Sequence, residues 1–362
     1  MQLLNYKKTN KMVIIEPGEN FSENQLHLIL TQNKNKFYQL LKSHGILLFR
    51  NFNIENTEEY KQIILNDLNF EYWYPIKGSY LLLNLVRKLA GLIIGKNDYR
   101  SYSKDKTMKL GSAENSIQGP HTETGLLNTR PQYLSMFCEV TSEGAADTGI
   151  YDLNLAYEAL THIEKNKYNT AWNQYIFHTQ PLNRMISFLT KLFFNKQGEI
   201  KKNTDTSLSL FLKKTPLVCL HPDKKILCLQ PWAFYNNTAE TVHKAAKAVF
   251  PDRKNILKPD AVALSGKSEW RLVDKNNCPL EWSEDEQFIL FKEIFKTTII
   301  HRWQNGDIII LDNIKYGHSR LEDNGCKNRK LHQIQLNPID MEKFSFDCHN
   351  RCEPWRAEGA GE

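Results

Sequence analysis

Gly306-Asp307-Ile308-Ile309-Ile310-Leu311-Asp312-Asn313-Ile314-Lys315-Tyr316-Gly317-His318 opens on a turn, passes through four aliphatic residues and reaches a histidine. The apolar run is short and bounded by turn formers, which predicts a buried strand over 308–311. A histidine just past the end of such a strand is where a rigid sheet would present a ligand. Arg329-Lys330-Leu331-His332-Gln333-Ile334-Gln335-Leu336 reads as the next strand. The small and charged residues 322–328 read as the loop of a hairpin joining the two.

His121-Thr122-Glu123, directly after Gly119-Pro120, offers partners for His318. Two imidazoles and one carboxylate form the ligand set that binds ferrous iron and leaves positions open. The triplet alone is weak. With 11 histidines and 41 acidic residues in 362, a His-x-acid spacing arises about once by chance. It occurs three times, and geometry separates the three. His162 and Glu164 end a helical stretch, 155–167, where residues two apart point to nearly opposite sides. His221-Pro222-Asp223 reads as a turn between the apolar runs 217–220 and 225–229. His121 and Glu123 lead into an extended segment, in which residues i and i+2 face the same way and can reach one ion.

Further segments, in chain order, carry a family resemblance. Ser43-His44-Gly45-Ile46-Leu47-Leu48-Phe49-Arg50-Asn51-Phe52 comes first, then 119–123 followed by Arg130-Pro131-Gln132-Tyr133-Leu134-Ser135-Met136-Phe137-Cys138-Glu139. Ala145-Ala146-Asp147-Thr148-Gly149-Ile150-Tyr151-Asp152 has the form Gly-Gly-x-Thr-x-x-x-Asp with alanines for the glycines. Trp303-Gln304-Asn305-Gly306-Asp307 through His318 closes the series. In this order they resemble the TauD/TfdA-type Fe(II)/2-oxoglutarate-dependent dioxygenases over about residues 40–336, including the SyrP-like members that modify amino acids in small-molecule pathways.

The resemblance implies a double-stranded β-helix, Fe(II) as cofactor and 2-oxoglutarate as co-substrate. His121, Glu123 and His318 match the iron ligands, and Thr148 matches a threonine that hydrogen-bonds a carboxylate of 2-oxoglutarate. Family members place one or two arginines past the distal histidine, where the planar guanidinium meets the far carboxylate with two parallel hydrogen bonds. Here Arg329 follows His318 by 11 positions, and Gln333 stands where many members carry the principal arginine. We therefore expect Arg329 to supply the charge beside Gln333, with Arg320 as the alternative and His332 facing away. Glu123 fills the ligand position that halogenating members leave open, which points to hydroxylation or another C–H oxidation. Arg130 is a candidate for a substrate carboxylate. Trp232, Phe234 and Tyr235 either line the pocket or belong to the core. The implied substrate is an amino acid, free or on a carrier protein, with taurine-like sulfonates second. Gln333 keeps open an iron-binding relative with altered or no 2-oxoglutarate use, and a zinc hydrolase with the same three ligands is a third reading.

Composition excludes more than it assigns. The net charge of +6 is spread without a basic stripe, so no nucleic-acid partner is expected. The longest apolar stretch, Tyr80–Ile94, is interrupted by Asn84, Arg87 and Lys88 and is too short to span a membrane. Seven scattered cysteines with no Cys-x-x-Cys pair, and a polar start without a signal peptide, lead us to expect a reducing cytoplasm. The expected organisation is one α+β domain over 1–345, mainly β in its core: a jelly-roll barrel decorated by helices. Insertions are expected at 70–118 and at 165–216, the second with a helix over 185–194, and a polar tail at 346–362. An oligomer is left open.

Overall fold

The computed structural model describes residues 3–346 except 10–11, 75–78, 95–101, 103, 105–106, 111–116, 180–186, 189, 192–197, 205–206, 254–258, 260–266 and 322–328. The strands run in chain order as β1 (Leu4–Lys8), β2 (Val13–Pro17), β3 (Ile46–Phe49), β4 (Met108–Leu110), β5 (Thr129–Val140), β6 (Thr148–Asp152), β7 (Trp172–His178), β8 (Gly198–Lys202), β9 (Leu208–Leu212), β10 (Thr215–Pro216), β11 (Val218–Leu220), β12 (Leu227–Leu229), β13 (Lys267–Val273), β14 (Thr298–His301), β15 (Ile308–Asp312), β16 (Tyr316–Arg320) and β17 (Lys330–Asp340). The α-helices are α1 (Leu26–His44), α2 (Thr57–Lys61), α3 (Tyr80–Ile94), α4 (Leu153–Glu158), α5 (His162–Thr170), α6 (Asn236–Val249) and α7 (Glu284–Lys296).

The run at 308–311 is indeed a strand buried on both faces. It lies in the middle of a seven-stranded sheet of order β1-β2-β3-β15-β5-β17-β4. Ile308 and Ile310 pack with Phe37, Leu41 and Phe49 under helix α1. Ile309 and Leu311 face the other way and pack with Leu48, Leu134 and Met136, and with Ile150, Ile299 and Tyr316 of a second sheet, β14-β6-β16. A strand with apolar contacts on both faces has no polar side to alternate, so its sequence is continuous rather than period-two. The two facing sheets make the jelly-roll core.

The expected hairpin does not form. Strand β16 pairs with β6 in the three-stranded sheet, whereas β17 pairs with β5 and β4 in the seven-stranded one. The chain changes sheets between His318 and Arg329, and the loop at 322–328 lies outside the described residues. Sequence adjacency suggested pairing; burial of both strands' inner faces against each other is what separates them.

The long stretch expected as one helix over 155–167 is two, α4 and α5. Thr161 caps the second, accepting from the Glu164 N–H while Glu164 reaches back to the Thr161 N–H. This reciprocal Thr-x-x-Glu box makes a helix start more favourable than a helix interior there. The 165–216 insertion is built mostly of strands, with β7, β8, β9 and β10 in a further sheet joined by β13; the helix expected over 185–194 lies mostly outside the described residues. The insertion at 70–118 contains α3 with the expected bounds, and its strand β4 extends the main sheet beyond β17. The N-terminal hairpin β1–β2, unread in the sequence, forms the opposite edge. The expected tail falls largely outside the described residues. No helix of the described chain is long and apolar enough to cross a membrane.

Candidate metal centre

His318 sits in the middle of β16, and the segment before Glu123 pairs alongside it. The His121 N–H donates to the His318 carbonyl at 3.1 Å, and the His318 N–H returns the bond at 2.8 Å. On its other side the same segment pairs with 231–233, where the Ala233 N–H donates to the Pro120 carbonyl at 3.1 Å. Gly119 permits that approach, because a Cβ there would lie 1.6 Å from the Ala233 carbonyl oxygen. The extended geometry holds at His121, but Glu123 already begins a turn, with Thr124 in the left-handed region at φ 57°; the strand starts only at Thr129.

Each ligand candidate is oriented by a neighbour. The His121 ring bonds the Gly119 carbonyl through Nδ1 at 2.9 Å, which leaves Nε2 for an ion. Asn313, at the end of the central strand, accepts from the Glu123 N–H at 2.7 Å and donates to the Glu123 carbonyl at 3.1 Å, fixing the peptide on both sides. Gln335 Nε2 donates to Glu123 Oε1 at 2.9 Å. The other carboxylate oxygen, Oε2, is 3.6 Å from His318 Nε2. One donor atom from each of His121, Glu123 and His318 lies within 4.8 Å of the others, and all three residues are buried. Two imidazole nitrogens and one carboxylate oxygen converging from one side fit a ferrous ion with open positions.

The three open onto a pocket between the sheets. Its wall includes Leu110, Met136, Leu331 and Gln333 from the main sheet, and Thr148, Arg320 and Arg329 at one end. Thr148 is buried and accepts from the Trp303 indole N–H at 2.8 Å. Arg320 is its direct cross-strand partner, and the Arg329 guanidinium donates to the carbonyl of Ala146, two residues before Thr148. Both arginines that the sequence offered thus lie by the start of β6. Gln333 is 1% exposed, and neither its Nε2 nor its Oε1 finds a partner. His332 faces away and bonds Glu139 at 2.6 Å.

Arg130 is not part of this pocket. It is fully buried behind the His121–Glu123 turn, bonding Thr122 Oγ1 at 3.2 Å, the Gly125 carbonyl at 3.3 Å and Gln230 Oε1 at 2.5 Å. Burial lowers its pKa to about 10. Phe234 packs on the His121 ring with centroids 4.4 Å apart, while Tyr235 and Trp232 pack into the core around Tyr175. Sequence reading passed over Asn313 and Gln335. Gln335 shares its strand parity with Gln333 and Arg329, a signal that was available.

The sequence matches the family model for the taurine catabolism dioxygenase TauD, TfdA family over residues 9–335. The chain belongs to this family. Its dioxygenase fold is also that of solved structures. The PvcB protein from Pseudomonas aeruginosa superposes with a TM-score of 0.54 at 13% identity, over 93% of this chain and 92% of that one. A second structure of PvcB, an Fe, alpha-ketoglutarate dependent oxygenase from an isonitrile synthetic pathway, gives 0.53 at 13% identity over 94% of each chain. A taurine dioxygenase from Burkholderia xenovorans gives 0.50 at 14% identity over 94% of each. At these identities the likeness is one of fold. No curated protein matches the sequence significantly.

Proposed function

We propose that this TauD/TfdA-family dioxygenase uses Fe(II) and 2-oxoglutarate to hydroxylate, or otherwise oxidise at C–H, a small molecule, most simply an amino acid, free or held on a carrier protein. The convergence of His121, Glu123 and His318 within 4.8 Å, in the wall of a pocket that Arg320 and Arg329 also line, carries the reading. When bound, iron and 2-oxoglutarate would supply the oxidant from dioxygen, one oxygen atom staying in succinate as carbon dioxide leaves and the other going to the substrate carbon. The chain's own residues do the rest. His121 and His318 hold the ion through neutral nitrogens. Glu123 neutralises part of its charge, kept in place by Gln335 and Asn313. Thr148 and Arg329 take the far carboxylate of 2-oxoglutarate, with Arg320 beside them, because a charge-assisted bond inside a buried pocket is stronger than in water. With Glu123 occupying the third ligand position, hydroxylation is favoured over halogenation.

Anaerobic addition of Fe(II) and 2-oxoglutarate gives the weak visible charge-transfer band of a chelated complex, and aerobic incubation with a panel of amino acids releases succinate above the uncoupled background. Iron bound without any band sinks the 2-oxoglutarate reading and leaves an iron protein with another co-substrate, the outcome that Gln333 in place of an arginine favours.

A further inference from the structure

Gln333 is a buried primary amide set in an apolar wall. Its cross-strand neighbours in the sheet are Met108 and Met136, whose thioethers accept only weakly. Both its donor and its acceptor are unpartnered, and it lines the pocket. A buried polar side chain left so is destabilising unless a ligand completes it, and native proteins rarely keep one without cause.

The position along β17 says which ligand. Gln335, Gln333 and Leu331 alternate on one face, and Arg329, just before the strand, lines the same pocket as Gln333 and Leu331. Gln335 touches Glu123 at 2.9 Å and Arg329 touches Ala146 beside Thr148, so the face runs from the metal to the cationic end. At about 3.4 Å per residue, Gln333 stands about 7 Å along the strand from Gln335. A 2-oxoglutarate held at the metal and by Thr148 and Arg329 has its charged ends engaged there, which leaves both amide atoms of Gln333 for another ligand.

We infer that Gln333 reads the substrate, as a specificity-determining residue that pairs with a neutral group able both to donate and to accept, such as a carboxamide, rather than with a carboxylate or sulfonate. A carboxylate satisfies Nε2 and leaves Oε1 facing a second acceptor. A carboxamide satisfies both atoms in one planar pairing. The inference rests on the oxygenase reading and narrows its substrate class.

The test uses the full chain, wild type and Gln333→Met, after the anaerobic charge-transfer band has been checked in the wild type, so that failure of the oxygenase reading shows separately. Met removes the two polar groups at similar volume. The melting temperature of the variant rises by about 2 °C, since unpaired groups are lost, and its 2-oxoglutarate affinity stays within about twofold of wild type. Acetamide and acetate then serve as probes by ligand-observed NMR, read as the difference between wild type and variant: acetamide loses contact in Gln333→Met and acetate does not. A fall of several degrees in melting temperature assigns Gln333 a structural role. A tenfold loss of 2-oxoglutarate affinity assigns it to the co-substrate. An acetate difference equal to or above that of acetamide, or no Gln333-dependent difference, overturns the proposed neutral partner.

Discussion

Two buried histidine–carboxylate pairs, His221–Asp312 and His318–Glu123, lie on either side of the turn between β15 and β16, and they differ in one respect. His221 Nε2 lies 2.7 Å from Asp312 Oδ2, a closed hydrogen bond. The remaining polar atoms of the pair are engaged as well: Asp312 Oδ1 accepts from the Ile314 and Lys315 N–H groups at 3.2 Å each, and His221 Nδ1 accepts from the N–H groups of Asp223 and Lys224. His318 Nε2 and Glu123 Oε2 stay 3.6 Å apart, beyond hydrogen-bond length. The surrounding bonds from Gly119, Asn313 and Gln335 hold the metal-centre side chains without closing that gap. One pair is closed as protein; the other is spaced to admit an ion. The first, by fastening the turn after β15, sets where β16 begins and so where His318 points.

The widest separation between the pairs is in activity. His318→Ala or His121→Ala removes an ion ligand and lowers substrate-dependent succinate release at least about 10³-fold, a modest share of what enzymes supply in total, while the urea midpoint moves little. Unchanged turnover in either variant would show the oxidant to be generated elsewhere. Removing the other histidine does the reverse. His221→Ala leaves the buried Asp312 Oδ2 without its imidazole partner, and breaking a buried pair costs roughly 3–5 kcal/mol. Urea unfolding of that variant should show the loss; a shift under 1 kcal/mol would mean that water takes the place of the imidazole. Gln335→Ala is intermediate. It frees one oxygen of Glu123 and should weaken Fe(II) affinity about 10- to 100-fold, seen by competition with a chelator, with the fold intact.

How legible these features were in the sequence depended on how local their causes are. The central strand was readable because burial on both faces leaves an unbroken aliphatic run at 308–311. The three candidate ligands that the structure brings together were readable because an i, i+2 pair and a histidine after a strand are local patterns. The partner of β16 was not, since pairing with β6 instead of β17 is decided by which inner faces bury each other across the core. The same holds for Arg130: nothing next to it in sequence announces Gln230, a hundred residues on, as its partner. Arg329 and Arg320 were found as candidates, yet only the register of Arg320 with Thr148 and the bond from Arg329 to Ala146 place them at one end of the pocket.

A third buried histidine beside an acid tests whether the comparison generalises. His301 Nε2 is 3.5 Å from Asp307 Oδ2, but Arg50 already holds that carboxylate at 2.6 Å. Burial first, and the Arg50 charge second, lower the His301 pKa from 6.5 to about 3. Below pH 6.5 the unfolded chain therefore binds a proton that the folded chain refuses, so stability falls as the pH drops from 6.5 toward 3, by at most about 1.4 kcal/mol per pH unit. Asp312 acts in a lower window. Burial opposes its ionisation, but the hydrogen bonds from His221 and the Lys315 N–H and the nearby Lys224 charge outweigh burial and hold its pKa below 3.8, so its contribution is present above that value and is lost as pH falls through the lowered one. Urea midpoints between pH 7 and pH 4.5 carry the His301 contribution together with those of His44 and His243, whose pKa values are also lowered from 6.5, and His301→Gln, which cannot titrate, removes its share of the slope. A slope the substitution leaves untouched would mean that His301 takes up its proton in the folded chain, and that an acid already committed to an arginine still serves a second cation.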